Sequence, residues 1–343
     1  MLEKKKIIVT GGTGYIGSHT SVELIKSGYE VIIADNLVNS SQSIIDCIEE
    51  LTGTRPVFEK IDLSEEGPSK DFYSAHKDAV AVINFAALKA VGESVQKPIN
   101  YYRNNMNILL TTLDGMLENG IGHFIFSSSA TVYGLPHKLP ITEEEPTKRP
   151  TNPYGNTKKI AEEIIEDVTR VSPALKAISL RYFNPIGAHS SAKIGELPSG
   201  VPNNLMPFIT QTAAGVRNEI KVFGNDYNTP DGTAIRDYIH VVDLAKAHVM
   251  TLDRLFGNKM DSNFEVFNLG TGIGYSVLDV INSFERTTKV KLPYTFAPRR
   301  EGDVPELYAN PKKANELLGW KAELSLDDMT LSSWNWEKQL RGK

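Results

Sequence analysis

Residues 7–17, IIVTGGTGYIG, decide how the rest of the chain is read. Apolar and β-branched residues run directly into glycines at 11, 14 and 17, and an amphipathic segment follows. That order spells strand, tight turn, helix. Gly11 lets the chain turn with positive φ, Gly14 lets a pyrophosphate approach the backbone, and Gly17 lets the helix pack closely. The pyrophosphate sits on the helix N-terminus, where free N–H groups and the dipole favour negative charge. A second strand, Glu30–Asp35 (EVIIAD), ends in an acid at the distance a dinucleotide fold requires. Asp35 predicts NAD rather than NADP, because a carboxylate accepts hydrogen bonds from a ribose 2′-hydroxyl and repels a 2′-phosphate. Gly270, Gly272 and Gly274 also follow a strand-like run, Glu265–Leu269. No second strand ending in an acid comes after them, so only the first set qualifies.

Helix and strand signals alternate through the first half. Strands are expected at 56–61, 79–85 (AVAVINF), 122–127 and 177–182, and helices at 41–51, 65–77, 100–119 and 154–171. Such alternation, with near-continuous apolar strands, predicts an α/β fold: a Rossmann-type doubly wound parallel sheet with helices on both faces. After residue 183 the texture changes. Residues 184–205 are rich in proline and glycine and read as a loop. Beyond them, helices near 207–216 and 242–255 alternate with short strands at 220–223 and 264–268. The expected division is an NAD-binding domain at 1–183 and a smaller mixed α/β substrate domain at 184–343. The strand near 264–269 is expected to rejoin the main sheet.

Bulk composition narrows the function classes. A net charge of −5 argues against nucleic acid or an anionic membrane as the main partner. No apolar run approaches the ~20 residues of a membrane-spanning helix, and no secretory leader is recognisable. Lys4, Lys5 and Lys6 read as a solvated strand start. Cys47 is the single cysteine, which rules out an internal disulfide and fits a reducing, cytoplasmic setting. The seven histidines are scattered without ligand spacing, so no metal site is expected.

Ligands of such sheets bind beyond the carboxyl ends of the strands. The residues placed there are Phe85, Ala86, Ala87 and Lys89, then Ser127, Ser128 and Ser129, then Phe183 and Asn184. Tyr154 and Lys158 follow, four apart and so on one helical face. A tyrosine of pKa about 10 is a poor base at neutral pH. An ammonium ~4 Å away, at an effective dielectric near 20, is worth roughly 4 kcal/mol or about three pKa units. A Tyr–Lys pair beside NAD therefore makes a base able to take an alcohol proton as hydride leaves the same carbon. The chain holds three such spacings, Tyr73/Lys77, Tyr154/Lys158 and Tyr308/Lys312. Placement selects the second. Tyr73 leads into a strand at the wrong edge, and Pro311 interrupts the third pair. Tyr154 follows Pro153, with Asn152 or Thr151 placed to cap a helix, and Ser129 precedes it to orient the same substrate oxygen. In the second half, Arg236 and Arg300 sit in Arg-Asp and Arg-x-x-Asp contexts suited to a diphosphate, with a carboxylate to orient the fork.

TGGTGYIG, NFAALKAVGES, FSSSATVYG, NPYGNTK, RYFNPIGAH, PNNLMPF, IRDYIHVVDLA and RREGD together resemble the UDP-glucose 4-epimerases, a family of the extended short-chain dehydrogenase/reductases. The resemblance spans about residues 5–340. It implies Ser129, Tyr154 and Lys158 as the catalytic trio. It implies NAD contacts at the three turn glycines, Tyr15, Ile16, Asp35, Asn36, Asp62, Leu63, Phe85, Ala86, Lys89, Asn104 and Phe183, besides Tyr154 and Lys158. It implies that Asn184, Asn203, Asn204, Leu205, Phe223, Arg236, Arg300 and Asp303 hold the UDP-sugar together with Ser129 and Tyr154. The implied reaction is reversible oxidation at C4 of the hexose of UDP-galactose or UDP-glucose, turning of the 4-keto sugar, and reduction from the other face. In related 4,6-dehydratases an Asp-Glu pair follows the serine strand; here Ala130 and Thr131 stand there, which disfavours elimination of water. Leu307 resembles the position whose bulk admits or excludes a 2-acetamido sugar. Leucine is intermediate and leaves N-acetylhexosamines open as alternative substrates. The family pairs the helices at 100–119 and 154–171 across a two-fold axis, so a homodimer is expected. A non-catalytic dinucleotide sensor on the same fold has no need for the trio.

Overall fold

In a computed structural model, which describes residues 4–198, 200–202, 204–300 and 303–342, the buried apolar runs of the first half become strands of one parallel sheet. β1 (Lys6–Thr10) leads to α1 (Tyr15–Lys26), β2 (Glu30–Asp35) to α2 (Ser43–Thr52), and β3 (Val57–Lys60) to α3 (Glu66–Ala75). β4 (Ala79–Asn84) is followed by α4 (Val91–Gln96) and α5 (Pro98–Asn119). β5 (His123–Ser129) runs into a 3-10 turn at Ala130–Tyr133 and then α6 (Pro153–Val171), and β6 (Lys176–Tyr182) follows. The later elements begin with β7 (Asn184–Ile186), α7 (Leu205–Ala213), β8 (Ile220–Phe223), β9 (Ile235–His240) and α8 (Val241–Phe256). After them come β10 (Phe264–Leu269), β11 (Gly274–Ser276), α9 (Val277–Thr288) and β12 (Tyr294–Ala297). β13 (Glu306–Leu307), α10 (Lys312–Leu317) and α11 (Leu326–Leu340) complete the order.

The seven-stranded sheet has the order β10-β6-β5-β4-β1-β2-β3, all parallel. Strand order reverses between β1 and β4, which opens a crevice at their carboxyl ends, where the glycine turn lies. Successive residues of a strand face opposite ways, so Ile7 and Val9 enter one core with Val22, Leu244, Leu252 and Phe267. Ile8 enters the other with Phe124, Leu113, Met116 and Ile165. Each side chain of this size buried from water contributes roughly 1.5–3 kcal/mol, and together they make the sheet a rigid platform for its carboxyl-edge loops.

The second half builds a smaller layer: β11-β9-β13 with β7 against β9, and β12 against β8. Its own core joins Met206, Ile209, Val222, Tyr238, Ile281, Phe284 and Met329. β10 belongs to the other layer, where it pairs with β6 from Phe264 to Leu269.

The short elements α4, β11, β12, β13 and α10 went unread in the sequence, and larger differences lie at β7, β9, α9 and α11. Residues 184–186, expected as loop, form β7 and pair with β9 residues Tyr238–His240. β9 itself went unread because Arg236 and Asp237 interrupt its apolar run. α9 and α11 also went unread, although each opens with a capping box, Ser276 with Asp279 and Ser325 with Asp328.

Candidate active site

The glycine turn is shaped by what a side chain there would strike. Gly11 has φ +68°, and a Cβ on it would lie 2.7 Å from the Ala86 nitrogen; at Gly17 a Cβ would lie 2.3 Å from the Gly11 carbonyl. The turn is thus folded onto the β4 loop and onto α1. Gly14 is the N-cap of α1 and no side chain caps the helix start, so the first-turn N–H groups at Tyr15 and Ile16 suit a pyrophosphate. Asp35, at the end of β2, accepts from Thr13 N at 3.2 Å, Leu37 N at 2.9 Å and Ser40 Oγ at 3.1 Å, which fixes its carboxylate beside the turn. Asn36 Nδ2 donates to Asp62 Oδ2 at 3.1 Å. Burial raises the Asp62 pKa, but hydrogen bonds from Ser64 and Asn36 outweigh it and hold the carboxyl below its usual range. Leu63 is buried next to it. These residues form a cradle with a hydroxyl-binding acid at one end and a bare helix start at the middle, which fits NAD.

Across the crevice, the Phe85 ring lies 4.9 Å from that of His248, and Ala86 N lies 3.4 Å from Thr10 Oγ1. Lys89 is exposed, and Asn104 Nδ2 donates to Asn105 Oδ1 at 3.0 Å. Asn105 escaped the sequence reading. Its side chain accepts from Leu88 N at 2.8 Å and donates to Leu88 O and Thr157 Oγ1 at 3.0 and 3.1 Å, tying the β4 loop to α6. An asparagine spaced at i, i+4 with Tyr101 and Leu109 on the buried face of a long helix was the available signal. Phe183 is buried, its N–H donating to Leu269 O at 3.1 Å.

At the end of β5, Ser129 Oγ accepts from Thr131 N at 3.2 Å, and the serine lies beside the Tyr154 phenol. Asn152 caps α6 by accepting from Gly155 N at 2.8 Å, which sets Tyr154 in the first turn and Lys158 one turn on. Lys158 Nζ donates to Ser127 O at 2.6 Å and lies over the Phe126 ring at 4.7 Å. The expectation that the ammonium lowers the Tyr154 phenol is corrected here. Burial pushes the phenol up to about 12, with only Ser129 opposing. Burial also pulls Lys158 down to about 7 against the pull of Glu162. Removing water from both groups outweighs their spacing, because the ammonium is turned onto Ser127. The other two Tyr/Lys pairs lie elsewhere: Tyr73 OH donates to Thr112 Oγ1 at 3.1 Å inside the core, and Tyr308 lies outside α10, the helix that Lys312 opens.

On the second layer, Arg236 in β9 is ion-paired with Asp303, and Arg300 lies 4.2 Å over the ring of Phe223 at the end of β8. The sequence context suggested Asp237 as one orienting acid. Neighbours on a strand face opposite ways, and Asp237 instead accepts from Thr271 N, Gly272 N and Ala309 N at 2.8, 3.0 and 3.1 Å. This accounts for Gly270 of the second glycine set, since a Cβ there would lie 2.4 Å from Asp237 Oδ2. Asn184 in β7 faces Tyr238 in the ladder, and Leu307 in β13 faces Arg236. Asn204, the N-cap of α7, donates to Glu196 Oε1 at 2.7 Å, and Leu205 opens that helix. Asn203 lies outside the described residues. Among the described residues no group of three or more His, Cys, Asp or Glu side chains could hold a metal ion, and no helix is long and apolar enough to cross a membrane.

A doubly wound sheet with this glycine turn, and with Ser, Tyr and Lys gathered at the end of β5 and the start of α6, defines a short-chain dehydrogenase/reductase. A family described as GDP-mannose 4,6 dehydratase matches residues 8–332. The chain is 49% identical to UDP-glucose 4-epimerase of Mus musculus over 341 residues, covering 98% of this chain and 97% of that one. Two solved structures are similar throughout. One is a UDP-glucose 4-epimerase from Stenotrophomonas maltophila with bound NAD and formylated UDP-arabinopyranose, with TM-score 0.95, 44% identity and 98% and 99% of the two chains covered. The other is the enzyme from Bifidobacterium longum in complex with NAD+ and UDP, with TM-score 0.92, 48% identity and 98% of each chain covered. The chain belongs to the UDP-glucose 4-epimerase family of the extended short-chain dehydrogenase/reductases.

Proposed function

We propose that this chain interconverts UDP-galactose and UDP-glucose, with NAD as a resident cofactor. The observation that carries the reading is the gathering of Ser129, at the end of β5, with Tyr154 and a buried Lys158, one helical turn apart at the start of α6 on the carboxyl edge of the sheet. NAD, when bound, supplies the two-electron acceptor and donor for C4 and a positive charge beside the phenol. Gly11, Gly14, Gly17, Tyr15 and Ile16 hold its pyrophosphate, Asp35 its adenosine ribose, and Asn36, Asp62, Leu63, Phe85, Ala86, Lys89, Asn104 and Phe183 line its path. Tyr154 takes the proton of the sugar 4-hydroxyl and later returns it, while Ser129 holds the same oxygen. Lys158, buried one helical turn further along α6, completes the trio. Arg236, oriented by Asp303, grips the diphosphate, and Phe223 with Arg300 offers a flat face to uracil. Asn184, Asn203, Asn204 and Leu205 complete the UDP-sugar side. Holding the nucleotide firmly and the hexose loosely lets these residues present either face of C4 to the same base.

The division into an NAD-binding part at 1–183, completed by β10, and a UDP-sugar part at 184–343 belongs to the same proposal. Ala130 and Thr131 follow β5 where dehydration needs an acid–base pair, which favours epimerisation over elimination. The apolar side chains of Leu110 and Leu117 on α5 are exposed, and we assign this face to a homodimer; a monomer in sedimentation at micromolar concentration would refute that. The free Cys47 supports a cytoplasmic setting. Incubating the purified protein with UDP-galactose and no added cofactor tests the activity: UDP-glucose should form, and no turnover even with added NAD would overturn the reading.

A further inference from the structure

A buried ion pair stands behind the turn that carries Ser129. Glu162 lies on α6, one turn beyond Lys158, and Arg181 lies on β6; they are 5% and 6% exposed. Arg181 grips the carboxylate as a fork, Nε to Oε1 at 3.0 Å and Nη2 to Oε2 at 2.6 Å. Each partner makes a further bond, and the two lead to opposite sides of Ser129. Glu162 Oε1 accepts from Ser128 Oγ at 2.5 Å, just before the serine. Arg181 Nη1 donates to the Tyr133 hydroxyl at 2.8 Å, just beyond it. Between these anchors runs the 3-10 turn Ala130–Tyr133, and Ser129 is its N-cap.

The direction of every proton in this network is fixed. Asn268 Nδ2 donates to the Ile141 carbonyl at 3.0 Å, so its Oδ1 is the acceptor that meets the Tyr133 hydroxyl at 2.7 Å. Tyr133 therefore donates to Asn268 on β10 and accepts from Arg181. Arg181 offers only donors, and an ionised Glu162 only acceptors. No link can reverse, so the turn has one place to sit. The start of α6 rests on that turn, because a Cβ on Gly155 would lie 3.1 Å from both Cβ and Oγ1 of Thr131. Tyr154 precedes that glycine, so the seat of the turn sets Ser129 against the phenol.

We propose that Glu162, Arg181 and Tyr133 are positioning residues that hold Ser129 and the first turn of α6 in register for proton transfer. The inference rests on the reading that Ser129 and Tyr154 do the chemistry. Stability does not account for the pair. Desolvating two such charges offsets much of their attraction, and replacing both partners with apolar side chains of similar volume is often neutral or stabilising. What apolar side chains cannot supply is direction, since they leave Ser128 and Tyr133 free to turn.

Glu162→Met and Arg181→Met, made together in the full-length protein, separate position from stability. The double variant should unfold at or above the wild-type urea midpoint. Its kcat should fall by about 10–100-fold, the cost of a misplaced catalytic group, while KM for the UDP-sugar stays unchanged. A folded double variant with wild-type kcat overturns the proposal. Tyr133→Phe keeps the ring and the ion pair, and it decides the matter if the double variant does not fold. It should lower kcat by about tenfold at unchanged KM, and the amides of residues 129–134 should exchange with deuterium about tenfold faster, the size of one lost hydrogen bond. Wild-type kcat and wild-type exchange in Tyr133→Phe overturn the proposal. A wild type without turnover defeats the functional reading alone, because the exchange measurement still decides whether this network seats the turn.

Discussion

Replacing Lys158 by Met should make the protein more stable near neutral pH while removing its chemistry. Lys158 is 5% exposed, and burial drives its ammonium from 10.5 to about 7. A folded-state pKa below the unfolded one means that unfolding takes up a proton at any pH between the two. Stability therefore rises with pH from about 7 towards 10.5, and the cost is present in full below 7. The drop corresponds to about 5 kcal/mol. Met has nearly the same helix propensity and reach, but it gives up the bond to Ser127 O, worth about 1–3 kcal/mol. The pull of Glu162 is also lost, though Arg181 continues to pair that carboxylate. The net gain is about 2–4 kcal/mol below pH 7, and it should vanish by pH 10. Urea unfolding at pH 6 and pH 10, with equal NAD occupancy in both proteins, measures it. A Met variant less stable than wild type at pH 6, or a wild type whose stability is flat between pH 7 and 10, would refute the reasoning.

Tyr154→Phe should lower kcat by about 10²–10⁴-fold, the span of a lost general base, with NAD still bound; turnover near the wild-type rate counts against its role. Asp35→Asn keeps the size of the side chain and removes the charge that repels a 2′-phosphate. Its NADP-to-NAD binding ratio should rise by about tenfold, and an unchanged ratio in titrations would show that another group selects the cofactor. Arg236→Lys keeps the charge but loses the planar fork that Asp303 orients. KM for the UDP-sugar should rise by about tenfold with kcat less affected, and steady-state kinetics with an unaltered KM would remove Arg236 from the diphosphate site.

The sheet was legible in the sequence because its strands are buried on both faces and read as continuous apolar runs, as in residues 79–84. The glycine turn was legible because backbone geometry leaves little choice at Gly11 and Gly17. β9 was not, since a strand carrying an outward Arg236 beside an inward Asp237 has no apolar signature. Which acid meets which arginine depends on that alternation, and Asp303 becomes the partner of Arg236 only when β9 and the segment carrying Asp303 are folded together. The spacing of Tyr154 and Lys158 suggested a lowered phenol, whereas burial raises it, because the loss of water at a site is a property of the assembled core. Asn105 was hidden for a related reason: its partners, Leu88 and Thr157, lie on two other segments.

β10 and α8 come late in the chain yet finish the layer that begins at residue 6. Leu244, Leu252, Phe267 and Leu269 fill the same core as Ile7 and Val9, and β6 finds its outer partner only at Phe264–Leu269. Severing the polypeptide near residue 183 would strip one side of the platform and leave the backbone of β6 seeking a foreign strand. The halves are threaded through each other, so the cup that grips the nucleotide is moored to the slab beneath it by several covalent crossings rather than one. Any opening that admits a sugar must then be a slight flexing of loops between fixed moorings, not the swing of a door.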